Sequence, residues 1–272
     1  MVGATSLPQA DAYSRDLGGK VAIVTGGTQG LGEAIAHEFA ARGLTGIVVT
    51  GRNRERGASV AAALCAQGCR AIFHPADLSD LAAVQSIVPV AERHFGRLDI
   101  LVNAAGDTDR GTILDTTPEL YNRIMAVNLT APFFLIQDAA TLMRRLGIAG
   151  TVVNIQSMSA HGGQPFLAAY SVSKGALATL TRNAAYGLVA DRIRVNGLNI
   201  GWMATPGEDA ILRLRHGAED GWQEEAARRQ PFGRLVDPRE VAKAVAYLAS
   251  GESGLMTGAN IDFDQTILGA HD

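Results

Sequence analysis

The sequence predicts an α/β fold in which one domain forms a doubly wound parallel sheet between two layers of helices. Short, largely apolar runs alternate with longer segments of mixed polarity along the 272 residues. Such runs are expected for parallel strands that helices cover on both faces. Right-handed crossovers between the strands place helices on both sides of the sheet, which makes three layers. No linker or shift in composition divides the chain, so we expect a single domain.

Seven strands and six principal helices are predicted, and they alternate from end to end. Each strand is a run of four to six residues, and each helix is a segment of at least twelve residues. The predicted strands are residues 20–25, 46–50, 71–74, 99–103, 151–156, 194–199 and 260–263. The predicted helices are residues 31–42, 53–67, 81–95, 118–145, 168–190 and 238–250, the fourth being either one long helix or a broken one.

Two segments lie outside this alternation. Residues 1–16 are polar and rich in alanine, so we expect a flexible N-terminal arm ahead of a domain at residues 17–272. Residues 201–234 form the longest stretch without a predicted element. An irregular loop of that length in a compact domain is usually functional, so we expect these residues to form a lid over a substrate.

Composition and charge exclude several classes of partner. Hydrophobic residues make up 47% of the chain and charged residues 19%, which suits a sizeable buried core. The net charge is −3 and basic residues form no run longer than a pair, so no nucleic-acid partner is expected. No stretch approaches the roughly 20 apolar residues of a membrane span, so no membrane association is expected. The first 16 residues lack a signal pattern, which favours a cytoplasmic location.

The cysteines and histidines do not indicate a metal site. Cys65 and Cys69 are the two cysteines of the chain, and both are expected to be reduced thiols. The six histidines are scattered along the sequence instead of being spaced as metal ligands. We therefore expect no bound metal.

A glycine-rich segment, residues 25–32 (TGGTQGLG), joins the first strand to the first helix. In doubly wound sheets, ligands bind at the carboxyl ends of the strands. Glycines there let the backbone approach a pyrophosphate, and the helix N-terminus offers N–H donors and a positive dipole. Tight turns also need glycine, and the spacing differs from the usual Gly-x-Gly-x-x-Gly pattern. Its position between a strand and a helix nevertheless favours a Rossmann-like dinucleotide site.

The end of the second strand indicates which dinucleotide is bound. Proteins of this fold that use NAD carry an acidic residue there, which binds the ribose 2′-hydroxyl. Here the residues are Thr50-Gly51-Arg52-Asn53-Arg54, without an acid. The Arg52 guanidinium could pair with the 2′-phosphate of NADP(H), or it could be a solvated loop residue. We predict NADP(H) as the preferred cofactor, with NAD(H) as the alternative.

Tyr170 and Lys174 are four residues apart, and Lys174 is one of only three lysines in the chain. On a helix, residues at this spacing project from the same face. An ammonium beside a phenol favours the phenolate and lowers its pKa from about 10. A phenol tuned in this way can exchange a proton near neutral pH. The alternative interpretation of this pair alone is a buried tyrosine beside a solvated lysine.

Together these residues resemble the short-chain dehydrogenase/reductase family, in its single-domain Tyr-x-x-x-Lys branch. The resemblance runs from about residue 20 to residue 263 and rests on several motifs in order. Residues 25–32 are similar to the family's Thr-Gly-x-x-x-Gly-x-Gly loop, and residues 103–106 (NAAG) to its Asn-Asn-Ala-Gly motif. Ser157 lies 13 residues before Tyr170, which is the family's usual spacing, and Asn128 lies in a Val-Asn-Leu sequence.

The resemblance implies a NAD(P)-binding, Rossmann-like catalytic domain. Tyr170 is then the general acid/base, Ser157 binds the reacting oxygen, and Asn128 holds a water in a proton relay. Lys174 lowers the Tyr170 pKa and holds the nicotinamide ribose, while Asp77 contacts the adenine. The residues implied to bind the cofactor are Gly26, Thr28, Gln29, Gly30, Leu31, Gly32, Arg52, Asn53, Asp77, Leu78, Asn103, Ala104, Gly106, Tyr170, Lys174, Gly201 and Met203.

Three positions depart from the family pattern. Ala104 replaces the second Asn of the Asn-Asn-Ala-Gly motif. Ile200 stands where the family usually has Pro before Gly201, and its amide N–H, which Pro lacks, could change how the nicotinamide carboxamide is held. The C-terminal segment 262–265 (DFDQ) differs from the common Asp-Gly-Gly ending.

The residues expected to contact the substrate are Ser157, Ser159, His161, Tyr170 and Trp202. Ser159 is spaced 11 residues from Tyr170, so Ser157 is favoured as the catalytic serine. His161 follows that serine closely and could line the substrate pocket or be a plain loop residue. Trp202 lies in the predicted lid.

The implied reaction is hydride transfer between NADP(H) and a secondary alcohol or ketone, with a sugar or polyol as one substrate class. A 3-oxoacyl-thioester reductase is the alternative within the family, although the chain has no distinctive basic patch to dock an acyl carrier. A non-catalytic cofactor-binding regulator and a structural oligomer are the alternative classes. Such regulators commonly lose the Tyr or the Lys, and this chain keeps both.

Small residues on the predicted helices 118–145 and 168–190 suit close packing between helices. The family commonly pairs these two helices between subunits. The resemblance therefore implies a homotetramer or homodimer.

Overall fold

Seven strands lie at the centre of residues 16–269, which are the part of the chain that the computed structural model describes. The predicted arm at residues 1–16 lies outside the described residues except for Asp16. The strands are β1 (Val21–Val24), β2 (Gly46–Gly51), β3 (Arg70–Pro75), β4 (Ile100–Asn103), β5 (Thr151–Ser157), β6 (Arg194–Ile200) and β7 (Asn260–Phe263).

Ten α-helices connect these strands within residues 16–269. They are α1 (Gly30–Ala41), α2 (Arg54–Ala66), α3 (Leu81–Gln85), α4 (Ile87–Phe95), α5 (Pro118–Met125), α6 (Ala131–Leu146), α7 (Ala168–Leu188), α8 (Pro206–His216), α9 (Trp222–Arg228) and α10 (Pro238–Ala249).

All seven strands run parallel in the order β3-β2-β1-β4-β5-β6-β7. The chain winds outward from β1 to β3, returns to β4 beside β1, and then winds the other way to β7. This reversal opens a crevice at the carboxyl ends of β1 and β4, which is where open α/β sheets bind ligands. The predicted doubly wound fold is confirmed.

Two apolar cores cover the two faces of the sheet. Residues of α1, α2 and α10 pack with Ala22 and Val24 on one face. Residues of α4 and α6 pack with Ile23 on the other face. Successive residues of β1 therefore point into opposite cores, so the whole strand must be apolar. This requirement explains why the central strands are continuous apolar runs.

The helix predicted at residues 81–95 is two helices in the structure, so that prediction is corrected. Pro89 lacks the amide hydrogen that would bond the Gln85 carbonyl, which interrupts a continuous helix at this point. The hydroxyl of Ser86 donates to the Ala83 carbonyl at 2.7 Å and ends α3. A short helix and a longer one therefore replace the single predicted helix.

The predicted helix 118–145 is broken, which was one of the two predicted forms. Residues Ala126–Thr130 form a π-helical turn between α5 and α6. Pro132 cannot donate to the Asn128 carbonyl, so the regular i to i+4 ladder fails here. The turn carries Asn128, whose side chain is fully buried.

The helical run Pro118–Leu146 is long and apolar enough to cross a membrane, by length and composition alone. Buried helices of globular domains meet the same criterion. Here Leu135 and Met143 are fully buried in the core against Leu101 of β4. We therefore interpret the run as a core helix.

Residues 201–234, predicted to be irregular, contain α8 and α9, which corrects that prediction. The Thr205 hydroxyl accepts a hydrogen bond from the Glu208 amide at 3.2 Å and caps α8, and Pro206 occupies its first turn. Gly217 ends the helix in a left-handed conformation with φ of 61°. The segment thus has its own start and stop signals.

Candidate active site

A cavity of about 1560 Å³ lies at the carboxyl ends of the strands. The loops that follow the first six strands line it, together with α8. The sequence-predicted site residues that line this cavity are Gly26, Thr28, Gln29, Gly30, Leu31, Gly32, Arg52, Asn53, Asp77, Leu78, Ala104, Gly106, Ser157, Ser159, Tyr170, Lys174, Gly201, Trp202 and Met203. The structure therefore brings most of the predicted residues to one cleft.

The glycine-rich loop forms a cradle that side chains would fill. Gly26 has φ of 66°, and a Cβ atom there would lie 2.9 Å from the Ala105 Cα. A Cβ atom on Gly32 would clash with the Gly26 carbonyl oxygen. Gln29 precedes α1 without capping it through its side chain, so the first amides of the helix keep their donors for a ligand. This geometry fits the pyrophosphate of a dinucleotide.

Thr25 joins this cradle to the loop after β4. Its hydroxyl accepts hydrogen bonds from the amides of Ala104 and Ala105 at 3.0 and 3.2 Å. Thr25 is itself buried. Two loops from adjacent strands are therefore held at a fixed separation on either side of the crevice.

Two guanidinium groups stand at the outer end of the cradle. Arg52 lies in the predicted position after β2, and Asn53 caps α2 by accepting from the Arg56 amide at 2.9 Å. Arg56, which the sequence analysis missed, donates to the Gln29 side chain and also lines the cavity. Arg56 lies in the first turn of α2, shortly after the predicted residues Arg52 and Asn53, and this closeness in sequence is the signal that could have found it.

Asp77 follows β3 at the same end of the cleft. Its carboxylate accepts hydrogen bonds from the Ser79 amide and hydroxyl at 2.9 and 2.8 Å. These bonds, with a smaller contribution from Arg52, hold the pKa of Asp77 below its usual value. Asp77 is therefore a fixed anionic acceptor for a neighbouring donor.

Asn103 and Asn128 do not line the cavity. Asn103 donates to the Asn154 side chain at 2.8 Å, beneath the crevice. Asn128 accepts from the Asp107 amide at 2.8 Å and donates to the Asp107 carbonyl at 2.9 Å. It also donates to the Ser173 hydroxyl at 3.0 Å. The Asn128 side chain thus joins the loop after β4 to α7.

Ser157 and Tyr170 meet at the inner end of the cleft. Ser157 is the last residue of β5, and its hydroxyl accepts a hydrogen bond from the Ser159 amide at 3.1 Å. Tyr170 lies in the first turn of α7, with its phenol near enough to the Ser157 hydroxyl for that group to lower its pKa. Both side chains line the cavity, so a carbonyl oxygen placed there can meet two hydroxyl groups.

The pKa of Tyr170 is set mainly by its burial. Burial raises this pKa above its usual value, and the nearby Ser157 hydroxyl opposes the rise only in part. The Lys174 ammonium lies 5.7 Å from the centre of the Tyr170 ring and donates to the Ile155 carbonyl at 2.8 Å. Burial lowers the pKa of Lys174 to about 8. Tyr170 is thus a protonated phenol in this arrangement.

His161 lies outside the main cavity, so the structure does not bring it together with the other residues predicted to contact the substrate. The turn Met158–His161 carries it to a separate cavity of about 240 Å³ on the side of β7. There its Nε2 lies 3.2 Å from the Asp262 carboxylate, to which Asn199 donates at 2.7 Å. Ser159 remains at the main cavity and donates to the Gln164 side chain.

The two tryptophans lie together on the lid side of the cavity. The rings of Trp202 and Trp222 stack with centres 5.8 Å apart and planes at 26°. Trp202 lines the cavity and donates through Nε1 to the Glu208 carboxylate at 3.0 Å. Glu208 also forms an ion pair with Arg110. Both residues line the cavity, and the sequence analysis missed them because no local motif marks them.

No metal cluster accompanies these groups in the described part of the chain. Within residues 16–269, no group of three or more His, Cys, Asp or Glu side chains is placed to hold a metal ion. Cys65 and Cys69 are free thiols.

The chain is similar to known proteins over nearly its whole length. A family model described as Enoyl-(Acyl carrier protein) reductase matches residues 26–266. The chain is 34% identical over 251 residues to the NADP-dependent (R)-specific alcohol dehydrogenase of Lentilactobacillus kefiri, covering 91% of this chain and 96% of that protein. It is 30% identical over 254 residues to the galactitol 2-dehydrogenase of Agrobacterium fabrum, covering 91% and 97%.

Two solved structures are also similar over nearly the whole chain. One, a short chain dehydrogenase/reductase family protein, has a TM-score of 0.79 at 34% identity and covers 92% of this chain and 97% of that one. The other, a short-chain type dehydrogenase/reductase from Mycobacterium marinum, has a TM-score of 0.83 at 29% identity, with coverages of 92% and 96%. The chain therefore belongs to the short-chain dehydrogenase/reductase family of NAD(P)-dependent oxidoreductases.

Proposed function

We propose that the protein is an NADP(H)-dependent oxidoreductase that interconverts a secondary alcohol and a ketone. The observation that carries this proposal is that Ser157, Tyr170 and Lys174 line the same cavity as the glycine cradle. A proton donor and a dinucleotide site are thus within one cleft. A panel of secondary alcohols and ketones, followed by NADPH absorbance, tests the proposal. A protein that binds NADPH and turns over none of them would refute it.

In the proposed mechanism Tyr170 supplies or removes the proton on the reacting oxygen. The phenol is protonated at neutral pH because burial raises its pKa, so it can donate to a carbonyl oxygen as reduction proceeds. Ser157 donates a second hydrogen bond to that oxygen and orients it. When bound, NADPH supplies the hydride that reduces the carbonyl carbon.

Lys174 and Asn128 support Tyr170 from the inner side of the cleft. A Cβ atom on Gly106 would lie 3.7 Å from both the Lys174 ammonium and the Asn128 Oδ1, so these two groups flank one glycine. The Asn128 side chain is hydrogen-bonded to Asp107 and Ser173. The backbone carbonyl of Asn128 receives no hydrogen bond from Pro132, which has no amide hydrogen. We therefore assign the water of the proton relay to the backbone carbonyl of Asn128, with Lys174 as its neighbour.

Residues 201–234 are proposed to act as a substrate lid. Arg215 of α8 donates to both oxygens of Asp109 at 2.7 Å, and Asp109 belongs to the loop after β4. Glu208 of the same helix pairs with Arg110 of that loop at 2.9 Å. The lid therefore contacts the loop after β4 through two ion pairs. The lid supplies the cation of one pair, Arg215, and the anion of the other, Glu208. These contacts fix α8 against the loop after β4.

Substitution of Arg52 by Asp is expected to reverse the cofactor preference. The guanidinium can pair with a 2′-phosphate, whereas a carboxylate repels it and accepts from a 2′-hydroxyl. The Kd of NADPH should rise about 10- to 100-fold, the range for hydrogen bonds to charged groups, while NADH binding improves. Fluorescence titration of both cofactors measures the change. Arg54→Asp is the matched control, because Arg54 carries the same charge at the start of α2 outside the cavity.

An unchanged preference for NADPH over NADH in Arg52→Asp would contradict the assignment of NADP(H). The printed name of the Lentilactobacillus relative supports NADP for that protein. The pair of guanidinium groups at Arg52 and Arg56 supports it for this chain.

A homotetramer is the proposed assembly, and light scattering is expected to give four times the chain mass of 28.5 kDa. Large apolar side chains are exposed along α5, α6 and α7, with Tyr121 42%, Phe133 47%, Val172 55% and Tyr186 86% exposed. Exposed apolar patches of this kind mark contact surfaces between proteins. A mass of one chain would contradict the proposal, and a mass of two chains would reduce it to a dimer.

A further inference from the structure

A charged pair lies across the cleft between the body of the domain and the lid. The Arg110 guanidinium donates to the Glu208 carboxylate at 2.9 Å, and their side chains are only 11% and 14% exposed. Both line the cavity that holds Ser157 and Tyr170. A pair so far removed from solvent needs partners for its remaining polar atoms.

The pair is held in place by several further contacts. Arg110 donates to the Thr108 carbonyl at 2.6 Å and lies 5.8 Å from the centre of the Phe166 ring. The indole of Trp202 donates to the same Glu208 oxygen that Arg110 contacts. These contacts orient the pair before any substrate arrives, so it can serve as a preorganised polar surface.

The pair and the reacting phenol share one cavity, because Arg110, Glu208 and Tyr170 all line it. Glu208 contributes to raising the pKa of Tyr170, and Arg110 opposes it. A substrate held at Ser157 and Tyr170 can therefore reach Arg110 and Glu208 within the same cavity. The polar groups that such a substrate carries are the groups that this pair can bind.

The wall formed by Arg110, Glu208 and the neighbouring Asp109 carries charged side chains that are paired with one another. Arg110 is paired with Glu208, and Arg215 and Arg123 are paired with Asp109. A paired guanidinium offers an anion no free charge, since the anion would have to displace a carboxylate. An apolar substrate would cover hydrogen-bonding positions without replacing their bonds, which is unfavourable. The wall therefore fits a neutral and polar substrate.

Unused hydrogen-bonding positions face this space. Within residues 16–269, Oε2 of Glu208 accepts no hydrogen bond, because both of its partners contact Oε1. The Gln164 oxygen accepts from Ser159, and its amide nitrogen donates to no group in the described residues. An acceptor on Glu208 and a donor on Gln164, both lining the cavity, suit hydroxyl groups, which both donate and accept.

We infer that the Arg110–Glu208 pair binds hydroxyl groups next to the reacting carbon, so that the substrate is a neutral polyhydroxylated compound, a polyol or its ketose. This inference rests on the proposed oxidoreductase function and narrows its substrate. Trp202 and Phe166, which are 40% and 42% exposed at the cavity, offer apolar faces to the C–H groups of such a molecule. A site built to bind a hydroxyl discriminates strongly against an analogue that lacks it.

The experiment compares two substrates across three enzymes. Rates with NADP and a series of hexitols (sorbitol, mannitol, galactitol) are measured against rates with 2-butanol for the wild type, Glu208→Leu and Glu208→Gln. The ratio of kcat/KM for hexitol over 2-butanol is the readout, because a change in the Tyr170 pKa affects both substrates and cancels. Glu208→Leu should lower this ratio about 10- to 100-fold, as expected for a lost hydrogen bond to a charged group. Glu208→Gln should recover part of the ratio.

The matched control is Arg213→Gln. Arg213 lies on the same helix and pairs with Asp209 and Asp220, outside the cavity. Its ratio should stay within about threefold of the wild type, the usual range for surface substitutions. A general weakening of the lid would lower the rates without changing the ratio.

Binding gives a second readout that needs no turnover. Trp202 and Trp222 are the two tryptophans of the chain, and Trp202 is bonded to Glu208. Titration with a hexitol should therefore give a saturable change in tryptophan emission that Glu208→Leu lacks. An emission change that is equal in both proteins would overturn the inference.

The outcomes separate this inference from the proposed function. Turnover of 2-butanol without turnover of any hexitol or its ketose would overturn the inference and leave the oxidoreductase function standing. Equal losses for both substrates in Glu208→Leu, or a preference for hydroxy acids over hexitols, would also overturn it. Turnover of no alcohol or ketone by an NADP-bound enzyme would refute the proposed function itself.

Discussion

Substitution of Tyr170 by Phe is expected to lower kcat by about 10²- to 10⁴-fold, the range that a positioned proton donor contributes. The change removes one hydroxyl and keeps the aromatic ring. Binding of NADPH should persist, because the glycine cradle and Arg52 lie at the other end of the cleft. Turnover is measured by NADPH absorbance, and cofactor affinity by fluorescence titration of the same sample.

Tyr186→Phe is the matched control for this prediction. Tyr186 lies on the same helix, α7, and is 86% exposed outside the cavity. Tyr186→Phe also removes one phenol hydroxyl, and it should leave kcat unchanged. If Tyr170→Phe retained a tenth or more of the wild-type kcat, the proton would have to come from another group, and the proposed mechanism would fail.

The direction of the pH dependence follows from the raised pKa of Tyr170. Reduction needs the protonated phenol, which predominates below that pKa, so Tyr170 should not limit reduction at neutral pH. Oxidation needs the phenolate, whose fraction rises with pH up to and beyond the pKa. The kcat/KM for alcohol oxidation should therefore increase from pH 7 towards pH 9. A decrease over this interval would show that Tyr170 is not the base.

The fold could be predicted because both faces of the sheet are buried. Strands such as β1 must then be apolar at every position, and a continuous apolar run is visible without any knowledge of contacts. The break at Ser86 depends on a single residue, Pro89, inside an otherwise helical pattern. The N-cap signals of α8, Thr205 and Pro206, are equally visible in the sequence, but the segment lacks the continuous apolar stripe that predicts a helix packed on a core.

The sequence predicts those parts of the site whose residues are close together in the chain. The cradle is one loop, and Tyr170 and Lys174 are one turn of one helix, so their proximity follows from the chain itself. Arg110 and Glu208 are 98 residues apart, and only the closure of α8 over the loop after β4 brings them together. His161 lies outside the cleft, although it follows Ser157 closely in sequence, because the turn after β5 leads towards β7.

Substitution of Lys174 by Met is expected to abolish most turnover and to change how stability depends on pH. Lys174 is 3% exposed, and burial lowers its pKa from 10.5 to about 8. The folded protein therefore loses this proton near pH 8, whereas the unfolded chain keeps it up to about pH 10.5. Because the unfolded state binds more protons in this window, the free energy of unfolding of the wild type rises with pH. A shift of this size corresponds to about 3 kcal/mol.

Lys174→Met lacks this titration, so the difference in unfolding free energy between wild type and variant should move in favour of the wild type by about 3 kcal/mol from pH 8 to pH 10.5. Below pH 8 both states hold the proton, and the difference should be constant. Urea unfolding of the cofactor-free proteins at one protein concentration measures it. Lys243→Met is the matched control, because Lys243 is exposed on α10 and its substitution should not alter the pH profile. Parallel profiles for the wild type and Lys174→Met would mean that the buried ammonium keeps an ordinary pKa, and that Lys174 holds its charge throughout the working range of the enzyme.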